Sequence, residues 1–121
     1  MTRALVLLMV IAAVSLQQAK VAPVVVIVRA PSIVYDDESI VIQVRVDPRT
    51  EHRLLVVGAW EGDTSLRTSL EQLDGEDSPR TRWVRWSRLA AGDLELRAYV
   101  FGEGGQLGMA RQKLQVLARW Q

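Results

Sequence analysis

The chain contains no cysteine and a single histidine. The first absence rules out disulfide staples, thiol nucleophiles, thiolate metal sites and lipid attachment at a processed N-terminal cysteine. The second leaves one imidazole, His52, for any acid–base role. No serine is set in anything resembling a nucleophile elbow, so no serine triad suggests itself. Beside Glu51 at a loop-to-strand join, His52 reads as a surface residue. An excess of one charge is also lacking: fifteen Lys and Arg stand against fourteen Asp and Glu. Such a balance gives no long-range pull toward nucleic acid or an anionic membrane. Beyond the first twenty or so residues no stretch keeps a helical hydrophobic period long enough for a helix, and no internal repeat is visible.

What is present begins with a leader. Arg3 precedes the apolar run Ala4–Val14, and Ser15, Gln17 and Gln18 follow. This is the layout of a secretory signal, read as residues 1–19 with cleavage after Ala19; cleavage after Ser15, with Ala13 at the −3 position, is the alternative. An uncleaved anchor needs about 20 mostly apolar residues and would bury Gln17, Gln18, Lys20 and Pro23. Export places the chain in the periplasm, the cell envelope or the medium, with a membrane as partner only if the leader is retained. Losing Arg3 leaves fourteen basic residues (15 − 1) against fourteen acidic ones. Residues 20–121 suffice for one small domain, held by packing alone.

That region alternates in twos. Val24–Arg29 and Ser32–Tyr35 read as one edge strand broken by Pro31, because proline cannot donate to a ladder. Ile40, Ile42, Val44 and Val46 alternate with more polar neighbours, as a strand with one buried face requires. Further strands are expected at Arg53–Trp60, Thr64–Leu70, Thr81–Arg88, Asp93–Phe101 and Leu107–Leu117, separated by Gly, Pro and Asp turns. The fold class is therefore all-β: an antiparallel immunoglobulin-like β-sandwich of about seven strands. Its expected core is Ile40, Ile42, Val44, Val46, Leu55, Val57, Val84, Trp86, Leu94, Leu96, Ala98, Leu114 and Val116.

Leu89-Ala-Ala-Gly92-Asp-Leu94-Glu-Leu96-Arg-Ala98 resembles the corner between strands E and F of bacterial immunoglobulin-like and fibronectin type III-like domains. The resemblance implies a leucine, a glycine turn and then inward-facing apolar residues leading into strand F. Leu94 stands where the family usually carries a tyrosine that hydrogen-bonds backbone. The likeness implies a fold and transfers no function, because such sandwiches host many.

Chemistry-bearing constellations are few. Asp36, Asp37, Glu38, Glu61, Asp63 and Asp93 should gather at one end of the sandwich, and Asp47, Asp74, Glu76, Asp77 and Glu103 at the other. Calcium favours carboxylate-rich loops, but no calcium-loop spacing is present, and loop carboxylates ordinarily serve as solvated turn residues. Arg80–Arg88 interleaves arginine with Trp83 and Trp86; strand geometry sends these rings to opposite faces, one to the core and one against an arginine stem outside. That argues against a nucleic-acid track. No cofactor motif is found, and a small sandwich without a large insertion offers no enzyme cleft.

A sheet surface is the better candidate. With Leu55, Val57 and Ala59 inward, Leu54, Val56 and Trp60 face outward, joined by Tyr99 and Phe101 from strand F, with Arg97 at the rim. A contiguous apolar patch of this kind marks either a protein partner, including a second copy, or a place covered by Thr64–Leu70, the N-terminal segment or Ala118–Gln121. The expected function is a non-enzymatic interaction module acting through protein–protein contact. The alternative is a carbohydrate- or small-ligand-binding module stacking on Trp60, Trp83 or Tyr99, which needs at least two of these rings coplanar and exposed.

Overall fold

A computed structural model describes residues 24–119. The expected signal peptide, residues 1–19, lies outside them. The described chain runs β1 (Val25–Arg29), β2 (Ile33–Tyr35), β3 (Ser39–Val46), β4 (Leu54–Glu61), β5 (Thr64–Gln72), a one-turn 3-10 helix (Gly75–Asp77), β6 (Thr81–Ser87), β7 (Gly92–Gly102) and β8 (Gly105–Leu117). A three-stranded sheet in the order β1-β3-β6 packs on a five-stranded sheet in the order β2-β8-β7-β4-β5. All pairings are antiparallel except that of β2 with β8, which is parallel.

The β1–β2 region corrects the expectation of one broken edge strand. β1 pairs with β3, and its register slips between Ile27 and Arg29. The chain then crosses at Pro31, and β2 joins the opposite sheet beside β8. Proline supplies no donor, so the crossing is satisfied through acceptors. Gln112 Nε2 donates to Ala30 O at 3.0 Å, and Gln115 N donates to Ser32 O at 2.9 Å. Two half-strands on different sheets raise the expected seven strands to eight.

Alternation sets the core. Every residue expected inside is buried, and Val25, Val34, Ala59, Leu73, Leu89 and Val100 join them. Each fully buried aliphatic side chain of this kind is worth about 1.5–3 kcal/mol of transfer free energy. At the E–F corner Leu89 and Leu94 are both buried, and Gly92 between them has φ 150°. That positive φ is one L side chains rarely adopt, so the turn favours glycine.

β5 is more polar than its neighbours because its inner face closes the open side between the sheets. Trp86 Nε1 donates to Ser69 Oγ at 2.8 Å, Arg67 Nη2 donates to Ser87 O at 2.8 Å, and Arg82 pairs with Glu71 at 3.6 Å. The indole of Trp86 therefore enters the core with its one donor satisfied.

His52 is not a surface residue. It is 1% exposed, and its Nδ1 lies 2.6 Å from Asp47 O. A carbonyl only accepts, so Nδ1 carries the proton, leaving Nε2 buried with no hydrogen-bond partner among the described residues. The Asp47–Arg53 and Leu73–Ser78 loops fold together here: Leu73 N donates to Arg53 O at 2.9 Å, and Asp74 N donates to Ser78 Oγ. A polar ring in a loop becomes an internal strut once a second loop closes over it.

Candidate functional site

The outer face of the five-stranded sheet is built from alternate residues of β4 and β7, whose register sets Leu54 against Phe101, Val56 against Tyr99, Gly58 against Arg97 and Trp60 against Glu95. Cross-strand partners of this kind lie close enough for their side chains to touch. Tyr99 and Phe101 have ring centroids 6.0 Å apart, and Trp60 meets Tyr99 edge-on at 5.7 Å. All six residues named from the sequence lie on this face, partly exposed, and form one patch.

Trp60 lies across Gly58, where a Cβ would sit 2.5 Å from the ring. Only glycine leaves that space. Arg97 is not at the rim: its guanidinium lies 5.0 Å from the Trp60 ring centre, and its Nε donates to Glu95 Oε1 at 2.6 Å. The hydrogen bond to Glu95 raises the already high pKa of Arg97. Arg111 also approaches Glu95, at 3.7 Å, so one carboxylate serves both cations.

Thr64–Leu70 does not cover the patch. It forms most of β5, which lies beside β4 in the same sheet and places Leu70, 66% exposed, against Val56. Met109 of β8 adjoins Tyr99 on the other flank. The sequence missed both extensions, because alternation gives a residue's face and not its neighbour strand. Nor does the tail reach the patch through Arg119, which is tied to Asp37 at 2.8 Å and to Glu38 at 3.3 Å beside β2. Among the described residues the patch is open.

The three rings named for a stacking platform do not assemble one. Trp60 and Tyr99 are inclined at 76°, and Trp83 stands on the outer face of the opposite sheet, 57% exposed. The cation–π contacts fall on Trp60 and on Tyr35, which lies under Arg119 at 4.1 Å. The acidic loops do divide between the two ends of the sandwich, as strand order requires. Among the described residues no group of three or more His, Asp or Glu is placed to hold a metal ion. A surface hollow between β7 and β8 is lined by Ser32, Asp93, Glu95, Lys113 and Gln115.

No family model and no curated protein matches the sequence. Solved structures do match in shape. A CARDB domain from Pyrococcus furiosus, solved in complex with di-metal ions, superposes with TM-score 0.58 at 16% identity, over 79% of this chain and 88% of that one. Superoxide reductase (neelaredoxin) from Ignicoccus hospitalis gives 0.56 at 16% identity, over 73% and 76%. The sulfur carrier protein SoxY from Chlorobium limicola gives 0.53 at 14%, over 82% of each chain. At such identities the likeness concerns architecture alone, and the proteins that share it differ in what they do. The chain is an immunoglobulin-like β-sandwich.

Proposed function

We propose that this protein is an exported, non-enzymatic interaction module that binds a protein partner through the outer face of its five-stranded sheet. The supporting observation is the open patch of Leu54, Val56, Trp60, Tyr99 and Phe101, continued by Leu70. Aromatic residues around a flat aliphatic centre are the residue types that dominate protein interfaces. The Arg97–Glu95 pair holds Trp60 down on Gly58, so the ring is already fixed when a partner arrives. Fixing it beforehand reduces the entropy lost on binding. The leader at Ala4–Val14 supports delivery to the periplasm or beyond.

The test is affinity capture from the native envelope with wild type and Trp60→Ala side by side. Trp60→Ala should abolish recovery of the partner, or self-association in sedimentation, while the protein stays folded. Stability should fall by only about 1–2 kcal/mol, as truncation of a part-buried ring implies. A strictly monomeric wild type that recovers no partner rejects the proposal.

A further inference from the structure

The other outer face, on β1, β3 and β6, has a distinct chemistry. Its registers set Arg29 and Trp83 on either side of Gln43, Arg85 against Val41, and Val26 against Arg45. Strands lie about 4.8 Å apart, so three arginines ring one exposed indole within a few strand spacings. Trp83 is 57% exposed, Val28 49% and Val41 36%. No outward position of these strands carries a carboxylate. None of the three arginines forms an ion pair among the described residues. Near-neutral net charge thus conceals segregation: the acids occupy the strand ends and loops, the opposite face and, at Glu71, the open side between the sheets, and every charge on this face is cationic.

We infer that this face docks on an anionic lipid surface. Guanidinium groups pair with phosphates, and an indole flanked by valines is the amphipathic element that settles at a headgroup boundary. A planar array suits a planar partner. A nucleic-acid strand is instead followed by a groove with successive stacking rings, and Trp83 is the one ring on this face. Position along the chain agrees: the apolar segment Ala4–Val14 lies shortly before β1, an edge strand of this face, so the chain is brought to a bilayer as it is exported.

The experiment uses the full chain recovered from an expressing cell, sedimented with phosphatidylcholine vesicles and with vesicles containing phosphatidylglycerol. A retained leader would partition into both, so the ratio of the two partition coefficients isolates the face. That ratio should reach about tenfold at low salt and fall toward unity as salt rises. Arg45→Glu with Arg85→Glu should remove the preference, and Trp83→Ala should lower binding to the anionic vesicles several-fold. Arg111→Glu with Lys113→Glu, the same change in net charge on the opposite face, should leave it in place. Circular dichroism melts confirm that each variant is folded. Equal binding to both vesicle types overturns the inference, as does loss of preference in the Arg111/Lys113 control. Binding to a single-stranded oligonucleotide as tight as to the anionic vesicles overturns it too.

Discussion

The two outer faces share arginine, tryptophan and branched aliphatics, but only the five-stranded one sets carboxylates among them. On the five-stranded sheet Glu95 sits among the cations: it holds Arg97 against Trp60 and draws in Arg111. On the three-stranded sheet there is no carboxylate, and Arg29, Arg45 and Arg85 form no ion pair among the described residues beside an exposed Trp83. Through internal pairing Glu95 takes up charge from Arg97 and Arg111, whereas the arginines of the three-stranded face have no such partner among the described residues. Surface ion pairs contribute little to stability, so the value of Glu95 lies in what it makes the face present.

The largest disturbance should come from the core that both faces share. Leu94→Asp puts a charge at the buried corner, at a cost above about 4 kcal/mol. It should abolish the cooperative melt, and both faces with it. Gly58→Val acts on one face only: its Cβ meets the Trp60 ring at 2.5 Å and Arg67 O at 2.8 Å. Displacing the ring should cost about 1–3 kcal/mol and remove partner binding while leaving vesicle binding intact. Trp60→Ala should follow the same pattern with a smaller loss of stability. Glu95→Gln tests the comparison most directly. It should barely move the melting temperature yet release Arg97 and Arg111, giving the five-stranded face a measurable preference for anionic vesicles. Unchanged vesicle binding in that variant would show that the carboxylate does not separate the two surfaces.

How much of this was legible in the sequence follows from the range of each interaction. Alternation at Ile40–Val46 and Asp93–Phe101 is local, and the inner and outer sets of those strands were readable directly. The patch was readable too, because Leu54–Trp60 and Tyr99–Phe101 needed only an antiparallel pairing of the expected kind. Pro31 announced a break but not a change of sheet, since nothing near it names β8 as the next neighbour. His52 reads as a surface residue in the sequence because the loop that folds against its own, Leu73–Ser78, lies about two strands further along. The cationic face was hidden for a different reason. Counting charges along a chain averages over surfaces, and only the β1-β3-β6 order shows that the acids fall elsewhere.

The parallel pairing of β2 with β8 joins the second strand of the described sandwich to its last, and Arg119 reinforces the join at Asp37. A chain emerging from a ribosome cannot complete its five-stranded layer until residues beyond Gly105 are free to insert between β2 and β7. Until then one side of β7 keeps its backbone donors and acceptors without strand partners, and closure of the layer waits on β8.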